Sequence, residues 1–418
     1  MLGLHTRQTR WAVLTLLGIT AIQLAGCTST DDQPPPDTRT AEQRVDRQRP
    51  IDAEIVARIG YGDDGQLAIG RPRFVRSTSD GRTLVVDGAS NRVLVYDQEA
   101  RLTGSVGGRG RDPGQFFGIH AFHVDDRDEL LVFDGFFGQL TRLNLAGEVL
   151  GAQRYERRDL LWPRGVLTTS QGDLVYLCRL PRQPKRGEPS PDAGFLFHHY
   201  ASDGPNKTTA FAAVATDSSR AARRRELLDQ STPGHFWIRR DGTMLFTASA
   251  FDGRILRFRQ VDDGWEPLSP LESFVPDSWS VETLTLDEAK AREIPYVKFN
   301  NSLADGVFHR RHESRGVFET RDGSIVHFRT ITSPDGVRSL GVDTFDADGR
   351  YLGYADLDVL GFVEPTVAWM DRNDRFYFVE GGTNRGLSIV ALQLDSQAAE
   401  RTPSTIARRP DSEEDGHV

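Results

Sequence analysis

Cysteine is nearly absent from this chain. Two occur in 418 residues, Cys27 and Cys178, and that count excludes a disulfide framework. A positive charge balance is absent too: the formal net charge is −9 at pH 7, so the chain as a whole is no electrostatic match for nucleic acid. The one extended apolar run, Trp11 to Leu24, is interrupted by Thr15, Gly18 and Thr20. It falls short of the roughly 20 residues that a spanning helix needs. An H-E-x-x-H motif, a phosphate loop and any legible Ser-His-Asp arrangement are missing as well. His309 and His312 stand three apart in the mixed-charge run HRRHE and read as a surface loop. Glycine, by contrast, is plentiful: 40 glycines accompany a 38% hydrophobic content, together within the usual globular share of about 45–50%. A large core is available.

The N-terminus reads as an export signal. Arg7 and Arg10 precede the apolar run, which ends in Leu24-Ala25-Gly26-Cys27. That ending resembles the lipobox of bacterial lipoproteins, which implies cleavage before Cys27 and lipidation of its thiol. The plain alternative is an ordinary signal peptide with an incidental cysteine. No twin-arginine pair occurs, so export of the unfolded chain is the simpler route. Residues 28–50 are polar and carry Pro34-Pro35-Pro36, a composition that cannot offset ordering entropy and reads as a tether. Thr28 stands where the lipoproteins it resembles can carry an inner-membrane-retaining Asp, so the resemblance favours the outer membrane, periplasmic side. The expected organisation is signal peptide 1–26, disordered tether 27–50, folded domain 51–395 and disordered tail 396–418.

The folded part repeats itself. IGYGDDGQLAIGRPRFV (59–75) is echoed by VGGRGRDPGQFFGIHAF (106–122), and TLVVD ending at Asp87 by LLVFD ending at Asp134. Self-similarity at a period of 40–50 residues points to stacked identical units. Six second strands can be found: LVVD (84–87), LVFD (131–134), LVYLC (174–178), MLFTA (244–248), IVHFR (325–329) and FYFVE (376–380). Each follows a turn signal such as Asp80-Gly81, Gln171-Gly172 or Asn373-Asp374. Four antiparallel strands repeated six times predict an all-β, six-bladed β-propeller. The sixth unit stops after its third strand, and AEIVARIG (53–60) stands ready to supply the fourth and close the ring.

GGRGRDPGQF (107–116), followed by a strand and VFD, resembles the NHL-repeat group of six-bladed propellers. The motif-level likeness covers about 59–155. Units three to six keep only the strand pattern, and unit one lacks the proline. The resemblance implies a binding scaffold, on a fold that carries enzymes as well.

Departures from the repeat mark the candidate site. Long insertions fall at 181–194, 214–234 and 274–312, all on one face. Asp217 or Ser218 can cap a helix running to about Asp229, and Thr285 to Glu288 has capping-box spacing. Loops of this length with structure of their own are usually lids or binding loops, with neutral insertion as the alternative. Aligning the units on their second strands places Arg73, His120, Arg164, Arg315 and Thr366 in register, with Gly234 or His235 in the ambiguous fourth unit. These positions lie where the innermost strands enter the channel on the lidded face. Arg73, His120, Arg164, His235 and Arg315 are therefore the candidate ligand-binding residues, and Arg220, Arg223, Arg224 and Arg225 could add to their field. A planar guanidinium suits carboxylate, phosphate or sulfate. The bland alternative is that each arginine caps loop carbonyls or pairs with a local acid such as Asp112.

Other chemistries fit less well. His120 and His123 sit at odd spacing on a strand and point opposite ways. His120, His235 and His312 could reach a channel metal from three blades, but the alignment leaves two of those positions open; a calcium site needs hard oxygens where the chain places bases. Asp343 to Gly349 reads as a hairpin, and Cys178 as packing. No metal or cofactor is expected. The leading expectation is a monomeric, membrane-anchored envelope lipoprotein whose lidded face binds an anionic small molecule, a glycan or an envelope protein. The alternative is a lyase or hydrolase acting on an anionic substrate, with the arginines as electrostatic stabilisers and His120 or His235 as acid or base. A third reading, a structural subunit, would expose apolar lid residues such as Trp279 and Phe299.

Overall fold

The computed structural model describes residues 51–60, 69–155, 163–178, 195–202, 207–213, 234–262, 264–273, 281–291, 297–298, 306–310, 312–332, 338–357, 366–379 and 387–394. The expected signal peptide with Cys27, the tether, the tail, the helix of 217–229 with its arginines, and the lid residues Trp279 and Phe299 lie outside the described residues.

The first strand is β1 (Ile51–Ile59). Blade 1 is β2 (Pro72–Ser77), β3 (Thr83–Asp87), β4 (Arg92–Tyr96) and β5 (Leu102–Gly107). Blade 2 is β6 (Ile119–Val124), β7 (Leu130–Asp134), β8 (Gln139–Leu143) and β9 (Val149–Arg154). Blade 3 is β10 (Pro163–Thr168), β11 (Leu174–Cys178), β12 (Phe195–Tyr200) and β13 (Lys207–Ala213). Blade 4 follows with β14 (Gly234–Ile238), β15 (Met244–Ala248), β16 (Arg254–Val261) and β17 (Gly264–Glu272). Between blades 4 and 5 comes an inserted segment of β18 (Val281–Thr285), α1 (Leu286–Ala291), β19 (Val297–Lys298) and β20 (Gly306–Arg310). Blade 5 is β21 (His312–Glu319), β22 (Ile325–Thr332), β23 (Arg338–Phe345) and β24 (Tyr351–Asp356). Last come β25 (Thr366–Met370), β26 (Arg375–Val379) and β27 (Leu387–Leu394).

Among the described residues there are six four-stranded antiparallel sheets, and the sixth is completed by β1. That strand pairs with β27 from Ile51 opposite Leu394 to Ile59 opposite Leu387. The innermost strands contact one another in a closed circuit, β2 to β6, β10, β14, β21, β25 and back to β2. The propeller is six-bladed and its first and last strands share a blade, as expected.

The core lies between blades, and alternation puts it there. A strand with both faces covered sends successive side chains to opposite neighbours. Leu84 and Val86 therefore join Leu130 and Val132 between blades 1 and 2, while Val85 turns back to Tyr377 and Leu387 of blade 6. Leu131 and Phe133 meet Val166 and Tyr176 of blade 3. Further clusters fill the remaining interfaces around the ring. This is why the second strands read as unbroken apolar runs: all five residues of β3, β7, β11 and β15 are buried.

The first hairpin of each blade uses one turn six times. Gly81, Asp128, Gly172, Gly242, Gly323 and Asp374 all have positive φ, between 57° and 88°. Each donates its amide to the carbonyl three residues back, as Gly81 does to Thr78 at 3.1 Å and Asp374 to Asp371 at 3.1 Å. Only glycine, or an Asp or Asn, takes that backbone conformation cheaply. The insertion before blade 5 holds the expected capping box: Thr285 Oγ1 accepts the Glu288 amide at 3.1 Å, and Glu288 Oε2 accepts the Thr285 amide at 2.8 Å. The three-stranded sheet beside α1, in the order β18-β20-β19, was not expected from the sequence.

Candidate functional site

The innermost strands share a local defect that places the candidate residues. In β2 the ladder steps from Pro72 opposite Asp87 to Phe74 opposite Val86, so Arg73 is an extra, bulged residue. The same step isolates His120 in β6, Arg164 in β10 and Arg315 in β21. A bulge re-aims the side chain it carries, and here it recurs at the same level of four blades. Blade 4 resolves the ambiguity of sequence alignment: Gly234 pairs with Ala248 and His235 with Thr247, so His235 holds the arginine position, without a bulge. In blade 6 the shift falls later, between Val367 and Trp369.

Blades 1 to 3 bring three of the five residues together. Arg73 is partly buried, and its pKa is lowered by burial first, then by the neighbouring charges of Arg71 and Arg164. No described carboxylate forms an ion pair with Arg73. His120 is also lowered, by burial first; Arg73 and Arg164 reinforce the shift, while the Gly118 carbonyl and Asp134 oppose it. Its Nδ1 stands 2.7 Å from the Gly118 carbonyl and 3.1 Å from the Gly135 amide. One tautomer donates Nδ1–H to the Gly118 carbonyl, and the other accepts the Gly135 amide at the same nitrogen. The lowered pKa keeps the imidazole neutral at pH 7.

The aspartates ending β3 and β7 build the seat for these side chains. Asp134 accepts amides from Phe117 at 2.6 Å and Phe136 at 2.8 Å, tying the loop into blade 2 to the loop between its second and third strands. Asp87 does the same for Arg71 at 2.7 Å and Ala89 at 3.0 Å. The glycine after each aspartate leaves room for the bulged side chain. A Cβ on Gly135 would stand 2.7 Å from the His120 ring, and one on Gly88 would collide with Arg73.

Blades 4 and 5 treat their candidates differently. Arg315 donates through Nη2 to Glu313 Oε2 at 2.6 Å and through Nε to Thr330 Oγ1 at 2.7 Å. Arg338 donates to the same Glu313 oxygen at 2.7 Å. The local-acid alternative therefore applies to Arg315, with Glu313 as the acid instead of Asp112. His235 is pushed down to about 4 by burial first, with the charges of Arg315 and His327 adding to it.

Beneath this pair lies an arrangement that the sequence did not make legible. Ser314 Oγ is 3.1 Å from His327 Nε2, and His327 Nδ1 is 3.2 Å from Asp343 Oδ2. The order of atoms is that of a serine-hydrolase triad, which corrects the expectation that no Ser-His-Asp arrangement exists. Spacing hid it, because the three residues come from three neighbouring strands. Its setting is structural. Ser314, His327 and Asp343 are 3%, 0% and 0% exposed, and Ser314 Oγ also meets Thr247 Oγ1 of blade 4 at 2.7 Å. Asp343 is further shared with Arg329 at 3.1 Å, Ser273 at 2.9 Å and Tyr351 at 3.2 Å. Burial pushes the Asp343 carboxyl up, but Arg329 and His327 outweigh it and hold it below its ordinary value. A serine so enclosed has no path to a carbonyl carbon; the seam ties blade 5 to blade 4.

Deeper in the channel, side chains from several blades meet. The Arg76 guanidinium lies 4.1 Å over the Trp369 ring, Trp369 packs 4.9 Å from Trp237, and His123 Nε2 is 3.0 Å from Thr168 Oγ1. Burial alone pushes Arg76 down to about 9. No feature of the sequence singled out Arg76, and His123 drew notice only as a rejected metal ligand. Among the described residues no three His, Cys, Asp or Glu side chains gather as a metal site. Cys178 is buried in the core between blades 2 and 3.

A family model described as a 6-bladed beta-propeller matches residues 66–186 of this chain. No curated protein matches it. A Bacteroides fragilis protein described as exported superposes with a TM-score of 0.51 at 11% identity, covering 82% of this chain and 96% of its own. A DUF4221 family member from Bacteroides vulgatus gives 0.49 at 8% identity, over 83% and 99% of the two chains. Virginiamycin B lyase from Staphylococcus aureus gives 0.43 at 9%, over 82% and 98%. At such identities the likeness establishes the fold alone.

Proposed function

We propose that this protein is an exported, membrane-anchored lipoprotein whose propeller binds an anionic ligand at the channel mouth of blades 1 to 3. The observation that carries this reading is the bulge that sets Arg73, His120 and Arg164 at one level of three neighbouring innermost strands, where their charges act on one another and no described acid pairs with Arg73. Like charges held together in a partly buried place raise each other's energy, and an incoming anion relieves that strain. Export is supported by the signal-like N-terminus and by the exported description of the Bacteroides fragilis propeller, and anchoring by the Cys27 that ends that signal. Membership of the NHL type is supported by the glycine-rich loop of 107–116 and by the amide-collecting Asp87 and Asp134 that end the second strands of the first two repeats.

The second reading keeps the site and adds chemistry. His120, neutral and beside two guanidinium groups, has the disposition of a general base next to an electrostatic stabiliser, as a lyase or hydrolase of an anionic substrate requires.

A thermal-melt screen against carboxylates, phosphates and sulfates tests the binding reading. A ligand at 100 times its dissociation constant stabilises by about 2.7 kcal/mol, and Arg164→Ala should abolish that shift. Turnover of a ligand found this way, lost in His120→Gln while binding persists, would establish the enzymatic version. No shift with any anion would end both.

A further inference from the structure

The cationic mouth has an apolar wall. Between β7 and β8 runs the loop Gly135-Phe136-Phe137-Gly138, and its two phenylalanines are among the most exposed large apolar side chains described, at 50% and 37%. They are not loose. Phe136 stands edge-on to the His120 ring at 5.5 Å, and Phe117 meets Phe136 at 6.4 Å and Phe137 at 5.5 Å. Asp134 fixes the loop from below by accepting the Phe136 and Phe137 amides at 2.8 and 3.3 Å. Gly118 is part of the same seat, since a Cβ there would come within 2.7 Å of the Phe136 ring.

A short loop that presents two rings to solvent on a rigid base gives up stabilisation that burial would supply. Exposed, preorganised aromatics beside a cluster of cationic side chains mark contact with a ligand rather than with the protein's own core. The equivalent loop of blade 1, Gly88-Ala89-Ser90-Asn91, carries no large apolar group, so between these two blades the wall stands on the blade 2 side. Arg111 adds a cation over the Phe117 ring at 5.5 Å, bringing charge and ring surface together again.

We propose that the ligand of this site is an amphipathic anion: an acid head group held by Arg73 and Arg164, and an apolar, ring-sized body laid against Phe136 and Phe137. The inference rests on the anion reading of the mouth and adds the chemical class of what the anion carries. His120 sits at the junction of head and body, with its ring edge on Phe136 and the two arginines acting on its charge state.

Three probes separate the two halves of the claim on the full chain: propionate, 3-phenylpropionate and the neutral 3-phenylpropanamide, each titrated by calorimetry. The expected result is that phenylpropionate binds at least tenfold tighter than propionate. Phe136→Ser with Phe137→Ser should erase that advantage while leaving propionate unchanged, and Arg164→Met should weaken both acids. Both phenylalanines are partly exposed, so the double variant should melt near the parent, and Phe136→Leu should retain part of the preference. Equal affinity for the two acids would overturn the amphipathic claim and leave the anion site standing. Phenylpropanamide binding as well as phenylpropionate, with no effect of Arg164→Met, would overturn the anion reading itself. Binding of none of the three would overturn both.

Discussion

Arg73 and Arg315 occupy the same bulge in the same strand of different blades, yet they do different things. Arg315 has Glu313 two residues before it, shares that carboxylate with Arg338, and is anchored to Thr330. Two residues before Arg73 stands another cation, Arg71, and the charges of Arg71 and Arg164 push against it. The repeat supplies position, and the neighbours decide whether a cation is used inside the fold or offered outside it. Blades 4 and 5 use their polar residues to fasten one blade to the next, whereas blade 1 holds Arg73 at the mouth beside His120 and Arg164.

The sharpest way to break this comparison is to remove the acid at the centre of the fastened half. Asp343→Asn leaves Arg329, 1% exposed, without its counter-charge, and breaking a buried pair costs about 3–5 kcal/mol. Urea unfolding should register that loss; a change below about 1 kcal/mol would show that the seam is not structural.

Acid should separate the halves next. His123, His235 and His327 are all lowered, by burial first in each case. A histidine whose folded pKa is depressed contributes stability that is present above the unfolded value, about 6.5, and lost as pH falls through the folded value. For His235 that window reaches down to about 4. The His120 pKa is lowered as well, and its protonation as pH falls adds a third cation to the mouth, so anion affinity should rise while the melting temperature falls. His120→Gln should flatten the affinity profile and leave most of the stability profile intact.

Glu313→Gln should convert the fastened half toward the open one. Releasing Arg315 and Arg338 from their shared carboxylate is expected to strengthen anion binding by about fivefold, or roughly 1 kcal/mol, measured by calorimetry. The smallest effect is the most diagnostic of function. Arg73→Met relieves cation crowding, so its melting temperature should not fall below the parent's while the anion binds more weakly, the usual trade between stability and function.

Most of the fold was legible in the sequence because a repeat states its own period and its strands are apolar on both faces. The six second strands, the glycine or aspartate of each turn and the closing role of residues 53–60 all follow from local chemistry. The inserted sheet of β18, β19 and β20 was not legible, since its short strands carry no repeat to align with. The mouth was half legible. Alignment found Arg73, His120, Arg164, His235 and Arg315, but alternation cannot show a bulge, and the bulge is what groups four of them. The Ser314, His327 and Asp343 seam was hidden because cross-strand register, not sequence spacing, brings the three together. Phe136 and Phe137 drew no notice in the sequence, and only their exposure beside His120 sets them apart.

The most direct test titrates one anion that stabilises the parent chain into Arg73→Met, Arg164→Met and Arg315→Met side by side. Binding should be lost or weakened at least tenfold in the first two and changed by less than about twofold in the third, each decade being about 1.4 kcal/mol. Equal losses in all three, or loss confined to Arg315→Met, would contradict the division of the mouth into an open and a fastened half.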